Sequence, residues 1–271
     1  MNTTVELGEG VQLPRLGLGV FRAPSGDSTR QAVLAALDAG YRHVDTASIY
    51  GNEQDVGEAI RRSSIPRSEI FVTTKLWNAD QGFDQALRGF DASLEKLGLS
   101  HVDLYLLHWP VPGRRLDSWR ALERIYEEKR ARAIGVSNFM VRHLEELAGH
   151  AKVLPAVNQI EVSPFLQQRD VRAWCAEHAV VVEAYSPLTK GVRLAHPIVV
   201  DVARRIGRSP AQVLLRWGLQ HQLVVLPKSI RPERIRQNAA IFDFALAPDD
   251  TERLDALEEG LATGWDPRGQ P

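Results

Sequence analysis

A single cysteine, Cys175, stands among the 271 residues, which excludes a disulfide within the chain. Within the helical pattern of 170–178 it reads as a small buried apolar residue. No apolar run approaches the about 18 residues that a membrane span needs. The first residues, Met1-Asn-Thr-Thr-Val-Glu6, lack the basic stretch and apolar core of a secretory leader. Charge excess is also missing: 33 basic and 34 acidic residues leave a formal −1. No basic stripe with interleaved aromatics occurs, so nucleic acid is not expected as a partner. The histidines show no pair at zinc-ligand spacing on one helix face, and no metal is expected. These absences leave a cytoplasmic globular protein with no membrane contact. Nothing demands an oligomer, and a monomer is expected.

Lysine is scarce: six against 27 arginines. Genome composition accounts for the bias. Each remaining lysine is then worth inspecting, because arginine cannot replace a compact ammonium whose pKa must be tuned.

Short β-rich apolar runs alternate with amphipathic helical stretches along the whole chain, with no linker and no low-complexity tract. Two short runs, 4–7 and 11–13, flank Gly8-Glu-Gly10 and predict a β-hairpin. Strands are then expected over 16–20, 42–45, 70–74, 102–107, 133–136, 156–159, 180–185 and 223–226. Helices are expected over 29–39, 53–62, 83–97, 117–129, 141–150, 169–178, 197–206, 210–220, 231–238 and 249–258. Eight strand–helix units in strict alternation predict parallel strands joined by helical crossovers, closed as a (β/α)8 barrel, a TIM barrel with an N-terminal β-hairpin, in one domain over 1–271. An open dinucleotide-binding sheet would need Gly-x-Gly-x-x-Gly between strand and helix. Gly17-Leu-Gly19 lacks the third glycine, and the next helix starts well downstream. Gly17 and Gly19 are expected instead to allow close backbone approach.

A barrel of this kind works at the C-terminal ends of its strands. There the sequence places Asp45, Lys75, His108, Ser137-Asn138, Asn158-Gln159, Tyr185-Ser186 and Lys228-Ser229, with Tyr50 just beyond Asp45. Polar residues follow strands in any loop, but Asp, Lys and His on neighbouring strands beside a tyrosine make a chemical group. Reducing a carbonyl to an alcohol needs a hydride donor and an acid for the oxygen. A free tyrosine has a pKa of about 10, and an adjacent ammonium lowers it. Lys75 can supply that cation, Asp45 can hold it, and His108 can hydrogen-bond and polarise the carbonyl oxygen.

Gly40-Tyr-Arg-His-Val-Asp-Thr-Ala-Ser-Ile-Tyr-Gly-Asn-Glu53, Thr74-Lys-Leu-Trp-Asn78, Asp103-Leu-Tyr-Leu-Leu-His-Trp-Pro110, Gly135-Val-Ser-Asn-Phe139, Asn158-Gln-Ile-Glu161, Ala184-Tyr-Ser-Pro-Leu188 and Pro227-Lys-Ser-Ile230 occur in this order. Together they resemble the aldo-keto reductases over essentially the whole chain, most of all the bacterial 2,5-diketo-D-gluconate reductase group. The resemblance implies Tyr50 as general acid, Lys75 and Asp45 as the pair that tunes it, and His108 as the orienting donor. It implies NADP(H) as cofactor. Tyr185 would stack on the nicotinamide, and Ser137, Asn138 and Gln159 would hold its carboxamide. Ser186 and Leu188 would be further cofactor contacts. Lys228, Ser229 and Arg234 would grip the 2′-phosphate, with Gln237 and Asn238 near the adenine. Gln237 stands where the family often has glutamate; it still hydrogen-bonds, which leaves adenosine affinity open. Arg234 also fits an exposed helix residue.

Phe21, Trp77 and Trp109 fall beside these positions and predict an apolar substrate slot, although aromatics at strand ends also serve as core. Trp119, Trp174 and Trp217 lie within helices and read as packing against the barrel. The short segment 110–116 and short tail 260–271 predict an open site for small carbonyls, dicarbonyls or keto sugars. Two other functions fit the same residues: a Schiff-base aldolase with Lys75 as nucleophile, and a non-catalytic NADP-binding subunit.

Overall fold

The computed structural model describes residues 3–269; the first two residues of the N-terminal stretch and the last two of the tail lie outside them. β1 (Thr4–Glu6) and β2 (Gln12–Pro14) pair antiparallel with Thr4 opposite Pro14. Their turn is made by Gly8, Glu9 and Gly10, all at positive φ (94°, 48° and 76°), which two glycines make affordable. This hairpin stoppers the N-terminal end of the barrel. Val11 and Leu13 pack there with Phe71, Leu104, Leu106, Ala133 and Val157.

Then come β3 (Leu18–Gly19), α1 (Asp27–Asp38), β4 (His43–Asp45), α2 (Glu53–Arg62), β5 (Phe71–Leu76), α3 (Phe83–Leu97), β6 (Val102–Leu107), α4 (Arg115–Glu127), β7 (Ala131–Ser137), α5 (Val141–Ala148), β8 (Val157–Glu161), α6 (Arg169–Glu177), β9 (Val181–Tyr185), α7 (Pro197–Ile206), α8 (Pro210–Gln220), β10 (Val224–Leu226), α9 (Pro232–Ala239) and α10 (Pro248–Asp255). β3 to β10 form one parallel sheet in chain order. It closes on itself where the Gly17 amide donates to Val225 O at 3.0 Å and the Gly19 amide to Pro227 O at 3.1 Å. Eight parallel strands with helices outside are the expected (β/α)8 barrel.

Gly17 is required at that seam: a Cβ there would lie 2.6 Å from both His43 Nδ1 and Leu226 Cδ2. Gly19 is not so confined, since its nearest contact would be an ordinary 3.5 Å. The helices bury one stripe each; α1 does so through Ala32, Val33, Ala36 and Leu37, the spacing that puts residues on one helical face. Trp119 and Trp217 are 1 % exposed between helices and barrel, where truncation to alanine would cost about 3–5 kcal/mol. Trp174 is only half-buried and stacks on His178 at 3.8 Å between centroids. Cys175 is fully buried, and burial pushes its thiol up to about 11.

Many element ends shift by one to three residues, three of them as follows. β5 runs on through Leu76 rather than stopping at Thr74, so Lys75 sits inside a strand. α4 starts two residues earlier, because Val111 O already accepts the Arg115 amide. α10 stops at Asp255, short of 258.

Candidate active site

Alternate residues of a strand face opposite sides, and from β4 to β9 the inward series of each barrel strand ends in a polar group at or just beyond the strand. His43 and Asp45 come from β4, Thr73 and Lys75 from β5, Gln159 and Glu161 from β8, and Glu183 and Tyr185 from β9. His108 follows the inward Leu104 and Leu106, and Ser137 follows Gly135. The C-terminal end of the barrel is therefore a polar layer resting on an apolar one.

Lys75 and Asp45 form its centre. Lys75 is 0 % exposed, and its Nζ donates to Asp45 Oδ1 and Oδ2, each at 2.7 Å, and to Thr46 O at 2.8 Å. Burial lowers the ammonium's pKa, but Asp45 and Tyr50 raise it by more, so Lys75 remains a cation. Removing one partner of such a buried pair leaves the other charge uncompensated.

Tyr50 ends a 3-10 turn, Ser48–Tyr50, that Gly51 closes at φ 68°. The turn is pinned from three sides: Ser48 Oγ donates to Lys75 O, Thr46 Oγ1 to Asn52 Oδ1, and Asn52 Nδ2 to Val20 O. The ring is half-buried, with Lys75 Nζ 5.2 Å from its centroid and the His108 ring 5.7 Å away, edge on. Lys75 pulls the phenol down as expected, yet burial outweighs it and the net direction is upward. Tyr50 thus holds its proton at neutral pH, the state a proton donor requires. His108 is held well below the usual histidine range by burial and by the Lys75 cation. A neutral imidazole keeps one N–H to donate and one acceptor nitrogen.

The strand ends from β7 to β9 are equally interlocked. Ser137 Oγ donates to Gln159 O at 2.8 Å, Asn138 Nδ2 to His108 O and Ser137 Oγ at 3.0 Å each, and Tyr185 Oη to Asn138 Oδ1 at 2.8 Å. Asn138 adopts φ 64° and Ser186 φ 48° where the chain leaves β7 and β9. Lys228, at the end of β10, and Arg234, on α9, are exposed and have no carboxylate partner among the described residues. Two unpaired cations beyond the end of a barrel strand fit a phosphate. Gln237 is exposed and Asn238 buried on α9, and Ser229, Ser186 and Leu188 are half-buried on the same rim. These residues fit a phosphorylated dinucleotide.

The three aromatics border the group. Phe21 is 46 % exposed with its ring 5.0 Å from Tyr50, and so is not core. Trp77 meets the His108 ring edge on at 5.3 Å. Trp109 meets Trp265, a tail residue absent from the expected set. The short tail does not leave that side bare, because it folds back onto the barrel. Glu161, buried at the end of β8, accepts hydrogen bonds from Thr263 N and Oγ1 and from Gly264 N.

Glu183 is the other unexpected residue. It is fully buried, and burial together with the Asp45 charge pushes its carboxyl up to about 8. Its sequence signal was a lone acid inside Val181-Val-Glu-Ala-Tyr185, two residues before an inward tyrosine. No cluster of three or more His, Cys, Asp or Glu among the described residues could hold a metal ion, and no described helix is long and apolar enough to cross a membrane. A cavity of about 450 Å³ between Met140, Arg142, Leu166, Arg169 and Arg268 involves none of the strand-end group.

The model of the aldo/keto reductase family matches residues 15–259. Glyoxal reductase of Bacillus subtilis (strain 168) is 46% identical over 267 residues, covering 98% of this chain and 97% of that protein. The crystal structure of an aldo/keto reductase from Brucella melitensis superposes with TM-score 0.91 at 46% identity, over 94% of this chain and 99% of that one. A Bombyx mori aldo-keto reductase, solved in complex with NADP, superposes with TM-score 0.90 at 34% identity, over 96% and 94%.

Proposed function

The chain belongs to the aldo/keto reductase family, and from that premise we propose that it reduces small aldehydes and ketones with NADPH, Tyr50 delivering the proton. The observation that carries this reading is the buried Lys75–Asp45 pair beneath a half-buried Tyr50, with a neutral His108 ring beside it. When bound, the cofactor supplies hydride to the carbonyl carbon. Tyr50 Oη gives its proton to the carbonyl oxygen, and the Lys75 cation stabilises the tyrosinate left behind. His108 donates to the same oxygen and orients it. Ser137, Asn138 and Gln159 hold the carboxamide, Tyr185 backs the ring, and Lys228, Ser229 and Arg234 take the 2′-phosphate, with Ser186, Leu188, Gln237 and Asn238 along the rest of the cofactor.

A small dicarbonyl is the first substrate to try, given the glyoxal reductase relative and a rim bordered by Phe21, Trp77 and Trp109. Lys75 fits a Schiff-base nucleophile poorly: it is 0 % exposed and its ammonium is kept protonated by Asp45. A non-catalytic subunit would have no use for the complete four-residue group. The same proposal takes the protein as a cytoplasmic monomer without nucleic-acid or membrane partners; light scattering after gel filtration checks the oligomeric state. The deciding experiment follows NADPH oxidation at 340 nm with glyoxal and a panel of aldehydes and keto sugars. No turnover with any of them, despite cofactor binding, would sink the reading.

A further inference from the structure

We propose that Glu183 is a positioning residue for carbonyl reduction: as an uncharged carboxylic acid it holds the side-chain amide of Gln159, and through it the Asp45–Lys75 pair. The inference rests on the functional reading above.

Gln159 Nε2 donates to Glu183 Oε2 at 2.7 Å and to Asp45 Oδ2 at 2.9 Å. Asp45 carries the charge that balances Lys75, so the group facing it must be a donor. That fixes the amide with its nitrogen toward the two carboxyl groups and its oxygen directed away from them. A nicotinamide carboxamide would then meet an acceptor, and Glu183 is the second of the two anchors that keep the amide in this sense. Glu183 and Gln159 are cross-strand neighbours in the β8–β9 register, so the contact is built into the barrel.

The surroundings leave no countercharge for an ionised Glu183. From β4, Asp45 is already paired with Lys75 of β5, and the His43 ring lies 3.8 Å from Glu183 Oε1 and is neutral in the interior. β5 adds the Thr73 hydroxyl, which is hydrogen-bonded to His43 at 3.0 Å. β8 offers the Gln159 amide, and β10 has only Val224 at that register. Glu183 Oε1 has no hydrogen-bond partner among the described residues. One cation therefore faces two carboxyl groups, and the proton needed for neutrality resides on Glu183. An anion there would repel Asp45 and work against the tyrosinate that Lys75 stabilises.

The test compares wild type, Glu183→Gln and Glu183→Leu by kcat against pH, with NADPH and glyoxal. Loss of the anchor in Glu183→Leu should lower kcat about tenfold and displace the limiting pH inflection by about half a unit or more. Glu183→Gln is uncharged and nearly isosteric, and should recover kcat to within about twofold with the inflection restored. Wild-type behaviour of Glu183→Leu would overturn the inference. So would a Glu183→Gln enzyme as impaired as the leucine variant, because the charge would then be what matters. If Glu183→Leu does not fold, Glu183→Asp, whose carboxyl is withdrawn by one methylene, should show a reduced kcat and a displaced inflection; unchanged values would overturn the inference too. An inactive wild-type enzyme would overturn the functional reading itself, which distinguishes the two failures.

Discussion

The indole of Trp265 rests against that of Trp109, with ring centroids 4.5 Å apart at 43°. One ring follows β6 and the other belongs to the tail, so the contact ties the tail to the mouth of the site. Trp265 is 56 % exposed, which leaves a face for substrate. Trp265→Ala should lower kcat/KM for aromatic aldehydes about tenfold, the scale of one aromatic contact, and change glyoxal turnover by less than about twofold. Equal losses for both substrates would show that Trp265 acts on the fold instead of the slot.

Tyr50→Phe removes the proton donor and keeps the ring that packs beside Phe21 and His108. Carbonyl reduction should fall about 10²- to 10⁴-fold, the contribution of a positioned general acid. NADPH binding, followed by quenching of tryptophan fluorescence, should barely change. A variant that keeps full turnover would require another acid.

Lys228→Ala separates the two cofactors. Lys228 is exposed, and partial desolvation and the Arg22 charge both lower the pKa of its ammonium. What such a site lacks is an anionic partner, and a dianionic phosphate would supply one. The KM for NADPH should rise about 10- to 100-fold, the range of one charge-assisted hydrogen bond, while that for NADH stays nearly constant. Added salt should weaken NADPH binding in the wild type more than in the variant. Parallel losses for the two cofactors would remove the 2′-phosphate from this corner.

Asp45, Lys75 and His108 were legible because each lies at or near the C-terminal end of a strand in the strand–helix alternation, where the barrel puts its chemistry. Tyr50 needed the motif as well, since its turn is set by Asn52 reaching back to Val20 and not by any local period. Glu183 lies in mid-strand, away from the strand end where the chemistry is expected, although two-residue alternation places it on the Tyr185 face. Trp265 was not readable at all. Its position depends on Glu161 capturing Thr263 and Gly264 from a hundred residues away, a contact with no periodic signature. The seam at Gly17 depends likewise on how closely His43 and Leu226 approach once the barrel has closed.

His43 and Glu183 should oppose each other in how stability depends on pH. Burial lowers His43 to about 4 from 6.5. The unfolded chain therefore takes up a proton below pH 6.5 that the folded one refuses. His43's contribution is fully present above 6.5 and is lost as pH falls toward 4, by up to about 1.4 kcal/mol per pH unit. Glu183 is raised to about 8 from 4.5, so the folded chain keeps a proton that the unfolded one releases. Its contribution is fully present below 4.5 and is lost as pH rises toward 8. Urea unfolding of Glu183→Gln against wild type should thus show a stability difference that moves in the variant's favour between pH 5 and 8. For His43→Gln, which cannot titrate, the difference should move in the variant's favour as pH drops from 6.5 to 4. A Glu183→Gln difference that stays flat with pH would mean that Glu183 is ionised in the folded barrel, with a charge that the Lys75–Asp45 pair must then accommodate.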